Sequence, residues 1–263
     1  MLKFFRHIRQ NQIMENKTGK YFKYAIGEII LVVIGILIAL QINNWNQNRI
    51  ERNKENLILT ELIVDLEEQS KLLDEYIEIE SSFYQNGKAV LSHFATNQAF
   101  NSNDNSMYSK LNSLVTRKTF NPVNTTFQEL ISTGNIAIIQ DKLTKRKVIQ
   151  YYHELERISL IISNNNLHIV DGIFQPEILK QTLFVLEEDD PELEKMNSQI
   201  FNKKSLVNLR TTSEKVLSNP DNALHLFNLL EQRTYVAMMH MELYKTIKLE
   251  TEELLSDIKT EVK

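Results

Sequence analysis

The chain has 263 residues and no cysteine, which excludes disulfides, thiolate metal sites, iron–sulfur clusters and cysteine nucleophiles. Gly and Pro number only 6 and 4, a composition that favours long helices over hairpin-rich sheets. Residues 1–42 carry six Lys or Arg against two acids, whereas residues 43–263 carry 24 against 32, so the large acidic part offers no basic stripe for nucleic acid.

Residues 1–23 form a basic leader that we expect to stay in the cytoplasm. Its apolar and basic side chains fall near opposite sides of a helix: Leu2, Phe5, Ile8 and Ile13 against Lys3, Arg6 and Arg9. This pattern suits a helix lying on an anionic membrane surface. A leader that only directs membrane insertion explains the same residues equally well.

Residues 24–43 are predicted to be a transmembrane helix. From Ala25 to Ile42 the only charged residue is Glu28. Together with Tyr24 this stretch spans about 28 Å as a helix, close to the roughly 30 Å hydrocarbon layer of a bilayer. A buried helix of a soluble domain usually keeps a polar stripe, but Ile29–Leu40 is apolar on every face. The small-residue pattern of a signal-peptide cleavage site is missing around Ala39, so the segment is predicted to be an uncleaved signal anchor.

The charges around this span predict its orientation. Six Lys or Arg precede it, and only Arg49, Arg52 and Lys54 follow closely. The excess of basic residues stays on the cytoplasmic side, which places the C-terminal part in the periplasm of a bacterium, anchored to the inner membrane. Aromatic residues are expected at the two membrane interfaces: Tyr21 and Tyr24 on one side, Trp45 on the other.

Three residues inside the span carry separate predictions. Glu28 lies about one turn from the cytoplasmic end, where a negative charge suits the helix dipole, so we expect it to extend towards Lys23 or Lys20 rather than to relay protons. Gly35 and Ala39 form a pair of small residues four positions apart, which would let two spans approach closely.

Residues 44–263 are predicted to form an exported, all-α bundle whose first and last helices are long. No Gly or Pro occurs from Asn46 until Gly87, and inward positions recur every three or four residues: Leu59, Leu62, Leu66, Gln69, Leu73, Tyr76 and Glu80. The stripe is wide, which favours bundle packing over a two-stranded coiled coil. The polar stretch 97–106 is predicted to be an exposed loop.

Candidate caps and turn residues predict where the helices in the middle of the chain begin and end. Asn124 or Thr125 is expected to cap a short helix that ends before Gly134, with Ile136–Ile139 as an extended link. Asp141 is expected to cap a longer helix. Tyr151, Tyr152 and His153 could line a ligand pocket, although packing aromatics are the commoner explanation of such a cluster.

Prolines mark the helices of the last third. Pro176 and Pro191 each stand at a predicted helix start, and Asn219-Pro220-Asp221 begins a helix that continues to the C-terminus. Its apolar residues keep a helical period over about 40 positions, much longer than an average helix. We expect this helix to pair with the long first one.

No nucleophile elbow, phosphate-binding loop, dinucleotide fingerprint or zinc-protease motif occurs in the sequence. Only His168 and Asp171 are spaced to share a metal ion, and two ligands rarely suffice. We therefore predict no catalytic residue, no metal, no cofactor and no enzymatic activity.

The stretch from Gly27 to Asn46, GEIILVVIGILIALQINNWN, resembles a family of single-pass bacterial membrane proteins of unknown function that is common in flavobacteria. The resemblance also covers the leader MLKFFRHIRQ, the segment FNPVNTTFQELISTGNIAII and the pair Tyr151-Tyr152. It implies a membrane anchor and a helical exported domain, and it implies no activity or ligand.

Three functions are compatible with these features. The favoured one is an interaction or scaffold protein of the cell envelope, bound to the bilayer and to a protein partner or a second copy. The alternative is a domain that senses a small ligand and signals laterally through a partner's span. An envelope enzyme is the third hypothesis and would require a cleft with perturbed titratable groups.

Overall fold

The computed structural model describes residues 18–96, 105–184, 195–196 and 203–262, and every regular element among them is helical. Most of the predicted loop 97–106 and of the helix predicted after Pro191 lies outside these residues. The α-helices are α1 (Thr18–Ala95), α2 (Asn105–Ser113), α3 (Thr125–Ser132), α4 (Lys142–Asn165), α5 (Gln175–Leu179), α6 (Lys203–Leu217) and α7 (Pro220–Glu261). A 3₁₀-helix occupies Asn135–Ile138, and a π-helix occupies Asn166–Phe174. The prediction of an all-α fold with a long apolar N-terminal helix is confirmed for the described residues.

The chain divides into two units, Met1–Leu57 and Ile58–Lys263. The described residues of the first unit belong to α1, and nearly all of their side chains are exposed. The second unit contains the hydrophobic core.

In the second unit, α1 and α7 run antiparallel. Glu67 pairs with Lys259 and Asp74 with Lys248, each at 2.6 Å, so the partner's number falls as the position on α1 rises. The buried positions on α1 are spaced alternately by three and four residues, the spacing of coiled-coil packing, and α7 contains a series with the same spacing among its buried positions. On α1 they are Leu59, Leu62, Leu66, Gln69, Leu73, Tyr76, Glu80, Phe83, Gly87 and Val90. The predicted inward stripe and the pairing of the two long helices are confirmed.

The core has two adjoining clusters of apolar side chains. One joins α1, α3, α4 and α7, and in it Tyr76, Phe120 and Tyr244 lie with their ring centres 5.0–5.2 Å apart. The other is centred on Phe83, Phe174 and residues of α2 and α7. Each fully buried Leu, Ile or Phe stabilises the fold by about 1.5–3 kcal/mol, so these clusters supply most of the driving force.

The start of α3 is capped from another helix. The backbone N–H of Thr126 donates to Oδ2 of Asp65 at 2.8 Å, and that of Val123 donates to Oε1 of Gln69 at 2.6 Å. Asn124 holds the N-cap position but its side chain accepts no bond, so the prediction that the side chain of Asn124 or Thr125 caps this helix is wrong. A carboxylate on α1 satisfies the free N–H instead.

Gly134 and Asp141 behave as predicted, and the residues between them do not. Gly134 takes a left-handed conformation (φ 72°), and Oδ1 of Asp141 accepts from the N–H of Thr144 at 2.7 Å. The predicted extended link Ile136–Ile139 is wrong, because Asn135–Ile138 form a 3₁₀ turn and only Ile139 is extended. A short apolar run carries no periodicity that separates these conformations.

The helix capped by Asp141 continues beyond its α-helical part. It passes without a break into the π-helix and then into α5, where Pro176 lies in the first turn as predicted. The side chain of Asn166, the first π-helical residue, donates to the carbonyl of Lys118 at 3.2 Å and is buried. The wider π turn thus brings the chain across to the segment that follows α2.

Candidate functional site

The most distinctive surface of the first unit is the apolar stretch of α1. The apolar side chains from Ile29 to Ile42 are between 47% (Val33) and 72% (Leu31) exposed. The described residues contain one helix that is long and apolar enough to cross a membrane, and the apolar stretch of this helix is not buried. Length and composition therefore allow this helix to serve as a membrane anchor.

The residues predicted around this stretch all belong to α1. Tyr24 and Trp45 are 62% and 65% exposed, and the side chain of Tyr21 lies outside the described part of the chain. A Cβ atom at Gly35 would meet nothing within 4 Å, and Ala39 is exposed, so this face is open. Glu28 is exposed as well. Their roles at a membrane remain predictions.

Beyond the apolar stretch, Trp45 has a cationic neighbour. The guanidinium carbon of Arg49 lies 5.5 Å from the centre of the Trp45 ring, within the range of a cation–π contact. Nη2 of Arg49 also donates to Oδ1 of Asn46 at 3.2 Å. The two contacts fix the position of the guanidinium beside the indole.

The second unit encloses a group of polar side chains in its core. Nδ1 of His240 lies 3.4 Å from Oε1 of Glu80, and Nε2 of His240 lies 3.2 Å from Nδ2 of Asn165. Glu80 is 2% exposed and His240 is fully buried. The chain thus brings α1, α4 and α7 together at one buried imidazole.

Arg233 extends this group along α7. Its Nε donates to the carbonyl of Leu114 at 3.0 Å and its Nη2 to that of Thr116 at 3.2 Å, while the guanidinium carbon lies 4.7 Å from the ring centre of Phe83. Burial lowers the pKa of Arg233, and the negative charge of Glu80 opposes that effect. Arg233 therefore holds the chain that follows α2 in place.

The buried tyrosines are also engaged in packing. The hydroxyl of Tyr76 donates to the carbonyl of Thr119 at 2.5 Å, and those of Tyr151 and Thr251 are 2.9 Å apart. Burial raises the pKa of Tyr151, Tyr152 and Tyr244 far above the usual value. The Tyr152 ring stacks on Phe127 at 4.3 Å, and His153 is exposed. The predicted alternative of packing aromatics is confirmed for the tyrosine pair.

A groove of about 510 Å³ lies between α4 and α7. It is lined by Lys147, Gln150, Tyr151, Glu154, Glu250, Glu253, Leu254 and Asp257. Partial burial, then the charges of Glu154 and Glu253, raise the pKa of Glu250, while Arg157 opposes them. Four carboxylates and one lysine line the groove, and Lys147 pairs with Asp257 at 2.5 Å. The groove therefore carries an excess of negative charge and would attract cations.

The described residues contain no group of three or more His, Cys, Asp or Glu side chains that could hold a metal ion. Of the two residues with metal-ligand spacing, Asp171 accepts from Nε of Arg117 at 2.8 Å through both carboxylate oxygens. That ion pair ties the π-helix to the segment after α2.

The inward positions predicted from the sequence of α1 included Glu80, whereas Arg233 and His240 on α7 were not predicted to point inward. Both could have been found, because the positions 226, 230, 233, 237, 240 and 244 follow steps of four and three residues along α7. The pattern was missed because these two inward positions carry polar side chains.

Residues 28–170 match a family of unknown function, DUF6090, and this match covers more than half of the chain. The chain belongs to this family. No curated protein and no solved structure matches it. The part shared with DUF6090 includes the apolar stretch of α1, Asp65, Glu80 and Asn165, and it ends before Arg233 and His240. The predicted resemblance to a family of unknown function is confirmed.

Proposed function

We propose that this chain is a single-pass protein of the bacterial inner membrane. Residues 24–43 are its signal anchor, the leader is cytoplasmic, and the helical part from residue 44 is periplasmic. The exposed apolar stretch of α1 carries this proposal, because a bilayer would bury the side chains that the chain itself leaves open.

The orientation is tested by fusing reporters to the C-terminus. Alkaline phosphatase folds only where disulfides form, whereas green fluorescent protein is fluorescent when it folds in the cytoplasm. The phosphatase fusion should be active and the fluorescent fusion dark, because six basic residues precede the span. The opposite pair of results would contradict the orientation and leave the anchor itself intact.

Within the envelope, the helical part acts as an interaction or scaffold protein. The hydrogen bonds of the polar core support this proposal, because its side chains bind the main chain. Arg233, Asn166 and Tyr76 donate to main-chain carbonyls. Asp65 and Gln69 accept from main-chain N–H groups. Side chains of the types used in catalysis thus hold the connection between α2 and α3. A rigid helical surface is what a scaffold presents to its partner.

Crosslinking in native membranes tests the scaffold role. A photoreactive residue replaces Leu160 or Leu249, which are 58% and 68% exposed on α4 and α7. A matched control replaces Leu254, which is 4% exposed on the same α7. One discrete crosslinked band from an exposed position, absent in the control, is the expected result. Monomer alone from both exposed positions would count against the proposal.

A further inference from the structure

Three side chains share one face of α1 just beyond the apolar stretch. At about 100° per residue, Arg49 lies about 40° from Trp45 around the helix axis, and Arg52 lies about 20° from it on the other side. Lys54 lies about 180° away, on the opposite face. All four side chains are exposed. The basic residues that follow the stretch are therefore unevenly distributed around the helix.

The contacts within this face position a cation next to an aromatic ring. The Arg49 guanidinium is held against Trp45 at 5.5 Å and by Asn46 at 3.2 Å. Glu51 lies about 120° from Trp45 around the helix axis. Its side chain accepts from Nε2 of Gln47 at 2.8 Å. The face that carries Trp45 thus combines two guanidinium groups with an indole.

We propose that Trp45, Arg49 and Arg52 form a binding site for the phosphate of an anionic phospholipid headgroup. The inference rests on the proposed function, since it requires residues 24–43 to span the bilayer. An interfacial indole lies at the depth of the headgroups, and a guanidinium can donate two parallel hydrogen bonds to a phosphate. Arg49 is one helical turn from the indole, so its guanidinium reaches the same layer.

The single tryptophan makes the site directly observable, because Trp45 is the only one in the chain. The full chain is reconstituted into phosphatidylcholine vesicles that contain brominated phosphatidylglycerol or brominated phosphatidylcholine. Bromine quenches a nearby indole, so the two quenching curves measure the relative binding of the two lipids next to Trp45. A preference for the anionic lipid of about five-fold is expected, on the scale of one basic residue at a membrane surface.

Matched variants separate a site from general surface charge. Arg49→Gln should reduce the preference to near one, and Arg49→Lys should keep part of it, because lysine retains the charge but not the planar fork. Lys54→Gln removes the same charge from the opposite face and should leave the preference unchanged. Equal loss in Arg49→Gln and Lys54→Gln, or no preference in the wild-type chain, would overturn the inference.

Two further results have distinct meanings. Replacing chloride by inorganic phosphate at equal ionic strength should not change the preference, and its loss would assign the site to free phosphate and overturn the lipid proposal. Absence of quenching by either brominated lipid would show that Trp45 is not at a membrane, in which case the proposed function fails too. Quenching without lipid preference refutes only the headgroup site.

Discussion

Nδ1 of His240 lies 3.4 Å from Oε1 of Glu80 in the core, although 160 positions separate the two residues in the chain. Glu80 also lies close enough to Arg233 to oppose the effect of burial on its pKa. A buried charge needs a partner, so Glu80 links the polar groups of α1 and α7. The contact between Glu80 and His240 thus connects the two long helices inside the core.

Replacing Glu80 by glutamine should lower the free energy of unfolding by about 1–3 kcal/mol, because the buried carboxylate that lies 3.4 Å from His240 is replaced by a neutral amide. The loss is measured by urea unfolding of the detergent-solubilised full chain, followed by circular dichroism. The control is Glu78→Gln, an exposed position on the same helix, which should change stability by less than about 0.5 kcal/mol. Equal, small effects of both variants would contradict the role of Glu80.

Asp65→Ala should destabilise the helical unit by about 1 kcal/mol, because the N–H of Thr126 at the start of α3 loses its acceptor. Asp74→Ala is the matched control. It removes a carboxylate from the same α1, but that carboxylate forms an exposed ion pair with Lys248, a contact that contributes between 0 and about 1 kcal/mol. Hydrogen exchange should also show faster exchange at Thr126 only in Asp65→Ala. Unchanged exchange at Thr126 would refute the cap.

Gly87 lets α1 and α7 approach closely. A Cβ atom at this position would lie 2.1 Å from Oγ1 of Thr234, which is buried. Gly87→Ala should therefore lower the stability by about 1–3 kcal/mol, although alanine is the better helix former. Gly35→Ala, where a Cβ atom meets nothing within 4 Å, should leave the melting temperature of the helical unit unchanged. A rise in stability on Gly87→Ala would show that the helices are further apart.

Glu250 predicts a dependence of stability on pH. Its pKa is raised in the folded chain, so its ionised form is disfavoured there, and its carboxylate destabilises the fold once the pH exceeds that pKa. Glu250→Gln should raise the melting temperature at neutral pH, and this gain should disappear below about pH 3.5, where a glutamate side chain is mostly protonated in both the folded and the unfolded state. The exposed Glu156→Gln on α4 removes the same charge and is the matched control. A gain that persists at low pH would contradict the assignment.

Periodicity and cap residues predicted the elements that depend on local sequence. The inward stripe of α1 follows from steps of three and four residues, and Asp141 and Asn219 cap helices whose first turns they immediately precede. Gly134 was predictable for the same reason, since a left-handed residue after a helix favours glycine. These signals act over a few residues and need no knowledge of the fold.

Contacts between distant residues could not be predicted in this way. The cap supplied by Asp65 to Thr126 and the carbonyl bonds of Arg233 depend on which helices become neighbours. The π-helix at Asn166–Phe174 was also not predicted, because π-helical turns are rare and this stretch follows the α-helix before it without a break. Each of these features is a consequence of tertiary packing.

The proposed scaffold and headgroup-binding roles both require residues 24–43 to lie in lipid. Alkaline carbonate extraction of membranes that contain the full-length chain tests this placement most directly. The wild-type chain should remain with the membranes, whereas Ile34→Lys combined with Ile38→Lys should release a large fraction, because each central lysine costs about 2.5–3.5 kcal/mol of insertion. A wild-type chain that is released by carbonate, or that stays monodisperse in buffer without detergent, would contradict the account.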